Sequence, residues 1–187
     1  MRGLAEQLGL GVMTLYNYFR TKDELLDSVC GHALQPLQAK PDPGVSWERQ
    51  LETAMRGLHL VLADNPGVLE VFAGRSVYGP TLDQVRENLL GILRGAGFPD
   101  RQAIHALGAL VSYAVGFTVT ERARSPKATQ SSAAARFEAL PPEDFPNLVA
   151  AAGEYHEYLS EAAFEYGLRH LIDALRRERA GGCTPPA

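Results

Sequence analysis

Apolar residues at helical spacing divide the beginning of the chain into short helices. Leu4 and Leu8 lie one helical turn apart, and Gly9 follows them. Glycine permits the left-handed backbone that ends a helix. The helical spacing resumes over residues 12–19, where the apolar positions are Val12, Leu15 and Phe19. Residues 1–19 therefore predict two amphipathic helices joined by a glycine turn.

A third helix is predicted from Lys22 onward, because two such short helices cannot bury their apolar faces alone. Thr21 and Glu24 have the spacing of a capping box, in which the hydroxyl and the carboxylate each accept a bond from a free backbone N–H. The predicted inward side chains of this helix are Leu25, Leu26 and Val29. Together the three helices predict a helix-turn-helix unit.

The second helix of this unit carries side chains that the core does not need. They are Met13, Thr14, Asn17 and Tyr18. On an arbitrary helix these residues would form a solvated face. After a tight turn and a short crossing helix, the same face is presented to the major groove of duplex DNA.

The rest of the chain repeats the helical pattern and shows no β-type alternation of useful length. Pro36, Pro41, Pro43 and Gly44 interrupt the third helix and predict a hinge. Helices are predicted over residues 47–64, 80–95, 100–124, around 147 and over 160–178, with a short apolar segment at 68–73 and a mobile loop at 125–146. The sequence therefore predicts an all-α fold.

The first 26 residues resemble the DNA-binding domain of the tetracycline-repressor (TetR) family of transcriptional regulators. The matching elements, in order, are Leu4-Ala5, Leu8-Gly9-Leu10, Leu15-Tyr16-Asn17-Tyr18-Phe19 and Lys22-Asp23-Glu24-Leu25-Leu26. The resemblance implies that Tyr16 and Lys22 contact DNA phosphates and that Thr14, Asn17 and Tyr18 approach base edges, with Met13 on the same face. Phosphate contacts position a protein on DNA, whereas base contacts specify sequence.

Downstream fragments resemble the ligand-binding domain of the same family. They are Asn65-Pro66, Gly95-Ala96-Gly97-Phe98, Tyr113-Ala114-Val115-Gly116-Phe117 and Phe164-Glu165-Tyr166-Gly167-Leu168. The implied organisation is a DNA-binding domain with linker at residues 1–44, a ligand-binding and dimerisation domain at 45–178 and a flexible tail at 179–187. The resemblance also implies a pocket between helices for an unidentified small-molecule effector.

The predicted ligand-binding residues are polar or aromatic side chains on the apolar helices: His59, Phe72, Tyr78, His105, Tyr113 and Phe117. The alternative is that the aromatic rings fill the core and that the histidines are ordinary hydrogen-bonded residues. Tetracycline is not the expected ligand. The resemblance implies a magnesium-binding histidine after the Asn-Pro turn, and residues 67–80 contain none.

Association into a homodimer is predicted through the terminal helices, because residues 147–152 and 160–175 carry more apolar surface than one chain would consume. The predicted interface residues are Phe164, Leu168, Leu171, Ile172 and Leu175. Packing within one chain is the alternative. A dimer would hold two recognition helices one DNA turn apart, about 34–36 Å, on a palindromic operator.

Two features depart from the family pattern. The family places a first helix and often a basic arm before this point, so we expect the protein to have residues upstream of Met1. Residues 1–30 carry three basic and four acidic side chains, a net charge of −1, which gives a weak electrostatic attraction to phosphate. A small-molecule-binding or interaction protein of the same fold that no longer binds DNA is therefore the alternative function.

The composition fits a cytoplasmic regulator. The 187 residues are 45% hydrophobic and 21% charged, with a net charge of −4, which disfavours nucleic-acid coating over the whole surface. Cys30 and Cys183 have neither disulfide-framework nor zinc spacing. The longest uncharged apolar stretch, residues 106–119, is shorter than the roughly 20 residues of a membrane span, so no membrane partner is predicted.

The five histidines lack HExxH spacing, and the sequence has no Gly-x-Ser-x-Gly elbow. We therefore predict no catalytic residue, cofactor or metal site. The predicted function is a ligand-relieved transcriptional repressor that binds double-stranded DNA as a homodimer.

Overall fold

The computed structural model describes residues 1–123 and 130–181, and within these ranges every regular element is helical. The α-helices are α1 (Arg2–Gln7), α2 (Val12–Tyr18), α3 (Lys22–Ala33), α4 (Trp47–Asp64), α5 (Pro66–Gly74), α6 (Pro80–Gly95), α7 (Asp100–Ala123), α8 (Gln130–Glu138), α9 (Pro146–Ala151) and α10 (Glu161–Gly181). Short 3₁₀ helices occupy Gln35–Leu37 and Ala152–Glu157. The all-α prediction is confirmed.

The predicted glycine turn joins α1 to α2. Gly9 has a φ of 64°, the left-handed conformation that L side chains rarely adopt. Its N–H donates to the carbonyl of Glu6 at 3.1 Å, and the Leu10 N–H donates to the carbonyl of Ala5 at 2.9 Å. These two bonds form a Schellman motif, which satisfies carbonyls at the end of α1. The motif fixes the angle at which α2 leaves.

The small core of this region is formed by Ala5 and Leu15, both buried. Leu8 is 56% exposed, so its predicted inward position is wrong: it lies at the end of α1, where the chain already turns toward α2. Helical spacing alone placed Leu8 beside Leu4, but the turn takes it off that face.

Helix α3 begins at the predicted cap. The Thr21 hydroxyl accepts a hydrogen bond from the Glu24 N–H at 3.0 Å, and the Glu24 carboxylate accepts one from the Arg20 N–H at 2.7 Å. The inward face differs from the prediction, because Val29 is 48% exposed and the neighbouring Cys30 is buried instead. The buried face of α3 is therefore shifted by about one residue from the predicted face.

The main core lies between α4 and α7, with α5, α6 and α10 packed around them. Trp47 at the start of α4 packs edge-to-face against Phe98, with ring centroids 5.3 Å apart. The fully buried side chains of this core include Leu51, Met55, Leu62, Leu93, Leu110, Phe164, Leu168 and Ile172. Residues of α3, α4, α5, α6, α7 and α10 thus share one core.

Helix α7 has 24 residues and is, by length and composition alone, long and apolar enough to cross a membrane. The uncharged stretch of residues 106–119 therefore underestimates the length of this apolar helix. Of its most apolar 18-residue window, 28% is buried. Its inner face, which includes Leu110 and Ala114, packs in the core, while Ser112 and Gly116 lie exposed on the outer face. The outer face of α7 is therefore accessible in the described structure.

The loop predicted over residues 125–146 is wrong for its central part, because residues 130–138 form α8. The segment is rich in alanine, the residue with the highest helix propensity. Phe137 at its end packs edge-to-face on Tyr155, with centroids 4.6 Å apart, and Tyr155 stacks on Tyr158. These contacts join α8 to the 3₁₀ helix Ala152–Glu157. Residues 125–129 of the predicted loop lie outside the described ranges.

Helix α10 presents the predicted dimer residues largely to its own chain. Phe164, Leu168 and Ile172 are at most 1% exposed, and Leu171 and Leu175 are half-buried against the same core. These three buried side chains offer no surface to a second copy, which corrects the prediction for them, whereas the interface role of Leu171 and Leu175 stays a prediction. Helical spacing identified an apolar face correctly, but it cannot tell which partner covers that face.

Candidate DNA-reading helix and ligand cavity

The six residues predicted to contact DNA all lie on the surface of α2 or at the start of α3. Met13 and Tyr18 are 72% and 74% exposed. The other exposed members of this surface are Thr14, Tyr16, Asn17 and Lys22. Leu15 anchors α2 from the opposite side, because it is buried. We call this exposed set the reading face. Its contacts with DNA stay a prediction.

A cavity of about 280 Å³ opens between α3, α4, α6 and α7. This volume lies near the lower end of the range for small-molecule sites, about 300–1,000 Å³. Its apolar lining includes Leu34, Leu58, Phe72, Leu82, Leu107 and Val111. Gly108 also lines it, and no heavy atom lies within 4 Å of the position that a Cβ there would take. We call this space the apolar cavity.

Arg86 on α6 is the one charged residue among those that line the apolar cavity in the described structure. Its Nη2 donates to the Val77 carbonyl at 2.6 Å, and its Nη1 lies 3.2 Å from the Asp83 carboxylate. The guanidinium carbon lies 5.5 Å from the centroid of the Tyr78 ring. The cation is therefore held in one position at the cavity wall.

The predicted ligand residues divide between this cavity and other places. Phe72 lines it. Tyr78 is exposed and contacts the site only through Arg86. His105 lies on the exposed side of α7 and does not line the cavity. The helical pattern placed His105 on an apolar helix, but that helix has a solvent-facing side.

His59, Tyr113 and Phe117 come together in a separate aromatic cluster with Phe164. The His59 ring stacks on Phe164 with centroids 4.3 Å apart, and Tyr113 stacks on the same ring at 5.5 Å. Phe117 meets Phe164 edge-on at 5.3 Å. These rings fill the space between α4, α7 and α10. They lie in the core, outside the apolar cavity. This position agrees with the alternative interpretation, in which the aromatic rings fill the core.

Hydrogen bonds satisfy the polar groups of this cluster. The Thr118 hydroxyl donates to the Ala114 carbonyl at 2.7 Å, so it accepts from Nδ1 of His59 at 2.8 Å. The Tyr113 hydroxyl donates to the Phe164 carbonyl at 2.9 Å. Burial, with a smaller effect of the nearby Glu165 charge, raises the pKa of the Tyr113 phenol. His59 and Tyr113 thus act as bonded core residues.

Helices α7 and α10 approach closely at Gly167. A Cβ at that position would overlap the Tyr113 ring, so the tyrosine occupies the space that a larger residue would need. Beside this contact, Arg56 on α4 forms a two-point ion pair with Glu165 on α10, with Nη2 and Oε2 2.7 Å apart. The Arg56 hydrogen bonds hold the pKa of the Glu165 carboxyl below its ordinary value. Both features hold α10 in place, the first against α7 and the second against α4.

The reading head, formed by α1, α2 and α3, joins the body of the protein, formed by α4 to α10, through α3. Arg75, just after α5, pairs with Asp27 on α3 at 2.7 Å. A Cβ on Gly31 would lie 3.4 Å from Thr81 and 4.0 Å from Leu82, both at the start of α6. Burial raises the pKa of the Cys30 thiol in this junction. Helix α3 is therefore packed directly on the helices that line the apolar cavity.

Sequence reasoning missed two of the features that define the site. Leu34 ends α3 and is buried in the cavity wall, although the prolines after it indicated only a hinge. Arg86 has no sequence feature that indicates a ligand contact, because an arginine one turn after an aspartate is typical of a solvated helical face. No local signal in the sequence distinguishes either residue.

The model of the tetracyclin repressor-like C-terminal domain matches residues 40–179. The repressor DrrR1 of Streptomyces coeruleorubidus is 32% identical over 117 residues, which cover 62% of this chain and 43% of DrrR1. The repressor Rv1353c of Mycobacterium tuberculosis is 29% identical over 182 residues, covering 91% of this chain and 69% of Rv1353c. The chain thus spans less than half of DrrR1 and about two thirds of Rv1353c.

Solved structures of ActR, a TetR-family protein of Streptomyces coelicolor, are similar over nearly the whole chain. Apo ActR superposes with a TM-score of 0.85 at 26% identity, covering 97% of this chain and 87% of ActR. ActR in complex with actinorhodin gives a TM-score of 0.83 at 27% identity, covering 96% and 87%. Because the family model covers most of the chain and the helix-turn-helix precedes it, the chain belongs to the TetR family of transcriptional regulators.

Proposed function

We propose that this chain acts in the cytoplasm as a DNA-binding repressor whose hold on its operator is relieved by a small molecule in the apolar cavity. The observation that carries the proposal is the continuity of α3. This helix begins beside the reading face and ends at Leu34, which lines the cavity. Ligand and DNA would therefore act on the same rigid element.

Coupling between the two sites requires that the ligand bind one conformation more tightly than the other. Leu82 gives a physical contact for this preference, because it lines the apolar cavity and also lies against α3 at Gly31. A ligand that displaces Leu82 or Leu34 changes the position of α3 relative to α6. The reading face moves with α3, so the spacing of two such faces on DNA changes.

A homodimer is proposed through the outer faces of α7 and α10. The outer side of α7 carries small exposed residues such as Ser112 and Gly116, and the outer side of α10 carries the exposed Tyr166. Pairing these faces across a two-fold axis would form a four-helix bundle and cover the exposed part of α7. Ser112→Arg should shift the protein toward monomer, as measured by light scattering.

The DNA-binding part is tested by gel retardation of the DNA upstream of the protein's own gene. We expect retardation that weakens with salt, because phosphate contacts release counterions. Asn17→Ala should weaken specific binding about 5- to 150-fold, since one bidentate base contact is worth about 1–3 kcal/mol. Tyr158→Ala removes an exposed aromatic residue far from the reading face in sequence and serves as the control.

The alternative function is a ligand-binding or interaction protein that no longer reads DNA. Its supporting observation is the net charge of −1 over residues 1–30. Absence of any retardation at low salt, with the protein folded and dimeric, would favour this alternative and contradict the repressor proposal.

A further inference from the structure

We propose that the apolar cavity selects an aromatic anion, with Arg86 binding the negative charge at the cavity wall. This inference rests on the proposed ligand-binding function and adds the chemical class of the ligand. Its basis is the composition of the lining, in which aliphatic and aromatic side chains surround a single cation.

The shape and lining of the cavity account for the aromatic part. Leu58, Leu107 and Val111 form apolar walls, and Phe72 contributes a ring against which a flat molecule can stack. A volume of about 280 Å³ fits a few fused or linked rings. These walls offer no hydrogen-bond partners, so polar substituents within the cavity would lose their solvation without compensation.

Arg86 accounts for the charge. No acidic residue lines the cavity among the described residues, so the partly exposed Arg86 side chain is the charged group available to a ligand bound there. A cationic ligand would be repelled there. An arginine fork matches a carboxylate or sulfonate with two parallel hydrogen bonds, which a neutral ring lacks.

The partners of Arg86 hold its position and leave its charge available. The Val77 carbonyl and the Tyr78 ring orient the guanidinium without neutralising it. Asp83 is the opposing charge, but its side chain is 65% exposed and does not line the cavity. An exposed ion pair of this kind is worth at most about 1 kcal/mol. A ligand anion arriving from the cavity side can therefore compete for the guanidinium.

Two fluorescent probes that differ by one sulfonate test the proposal. They are 8-anilinonaphthalene-1-sulfonate and its uncharged counterpart, N-phenyl-1-naphthylamine. Dissociation constants are measured for the full chain and for Arg86→Gln. The control variant is Arg94→Gln, which removes an exposed arginine from the same helix, outside the cavity. Thermal unfolding of each variant reports its folding.

The expected result is a ratio of affinities. The sulfonate probe should bind the unaltered chain about tenfold more tightly than the neutral probe, and Arg86→Gln should remove this preference while leaving the neutral probe within about twofold. Arg94→Gln should retain the preference. Equal affinities in the unaltered chain, or an unchanged ratio in Arg86→Gln, would overturn the proposal.

A cavity-blocking variant separates this inference from the proposed function. Gly108→Leu places a side chain at the exposed opening of the cavity and should weaken both probes. If it weakens both probes and the sulfonate preference is absent, the ligand site stands and only the ligand class is wrong. If Gly108→Leu leaves both probes bound, the cavity is not the probe site and the ligand part of the proposed function fails with it.

Discussion

Filling the apolar cavity from α7 should stabilise the protein and abolish ligand binding at once. Gly108 lies within α7 and lines the cavity, with open space where a Cβ would point. Leucine at this position therefore meets no backbone. Gly108 is an exposed lining residue, so the leucine side chain would stand at the opening through which a ligand enters, and the two properties should change in opposite directions.

The expected gain in the free energy of unfolding has two parts. Replacing a glycine inside a helix by leucine contributes about 0.5–0.8 kcal/mol through helix propensity. Gly108 is exposed, so the leucine side chain is only partly covered by the neighbouring apolar residues, which contributes about 0.5–1 kcal/mol more. For a chain of 187 residues, a total near 1.5 kcal/mol corresponds to a rise of about 3–6 °C in Tm.

The matched control is Gly91→Leu on α6. Gly91 is also inside a helix and does not line the cavity. A Cβ at this position would lie 3.9 Å from the Pro41 side chain, which is ordinary contact distance. This control should gain only the propensity part, about 1–3 °C. Calorimetry gives Tm, and probe titration gives affinity. A Gly108→Leu protein that is stabilised no more than the control, or that still binds probe normally, would refute the argument.

Other predictions concern the body and the reading head. Glu165→Gln should cost about 0.5–1 kcal/mol at pH 7 by removing the partly exposed ion pair with Arg56. Because the folded pKa of Glu165 is depressed, this difference should hold above about pH 4.5 and vanish as lower pH protonates the unaltered chain, as denaturant titrations at several pH values would show. Gly167→Ala should cost about 1–3 kcal/mol through overlap with Tyr113, and adding Tyr113→Ala should cost less than the sum of the single changes. Thr21→Ala should lower the local stability of α3 by about 1 kcal/mol, measured by amide hydrogen exchange, while leaving α4 unchanged.

Much of the fold follows from local signals in the sequence. The boundaries of α4 and the start of α6 agree with the predicted ones, because Ser46 caps α4 and Pro80 occupies the first turn of α6. The Gly9 turn and the Thr21 cap also formed as predicted. These features depend on residues within one or two turns of each other, which a linear pattern can show.

The candidate site was less predictable, because it depends on which helix covers which face. Apolar spacing in α10 indicated a buried stripe, yet the partner of Phe164 turned out to be α4 and α7 of the same chain. Of the predicted aromatic ligand contacts, Tyr113 and Phe117 fill the core, Tyr78 is exposed, and Phe72 lines the cavity. The cavity also uses aliphatic side chains such as Leu34 and Leu82, which look like any other core residues in the sequence.

Leu34 both caps the C-terminal end of α3 and lines the apolar cavity, so a substitution at this position affects two parts of the protein. In the proposed repressor, a substitution there that accommodates a new ligand also alters the end of the helix that connects the reading face to the rest of the chain, so ligand choice and DNA affinity would change together on that side. Leu107 and Gly108 on α7 line the opposite side, in a helix distant in sequence from the reading head. Design of a sensor for a different compound should therefore begin with these two positions.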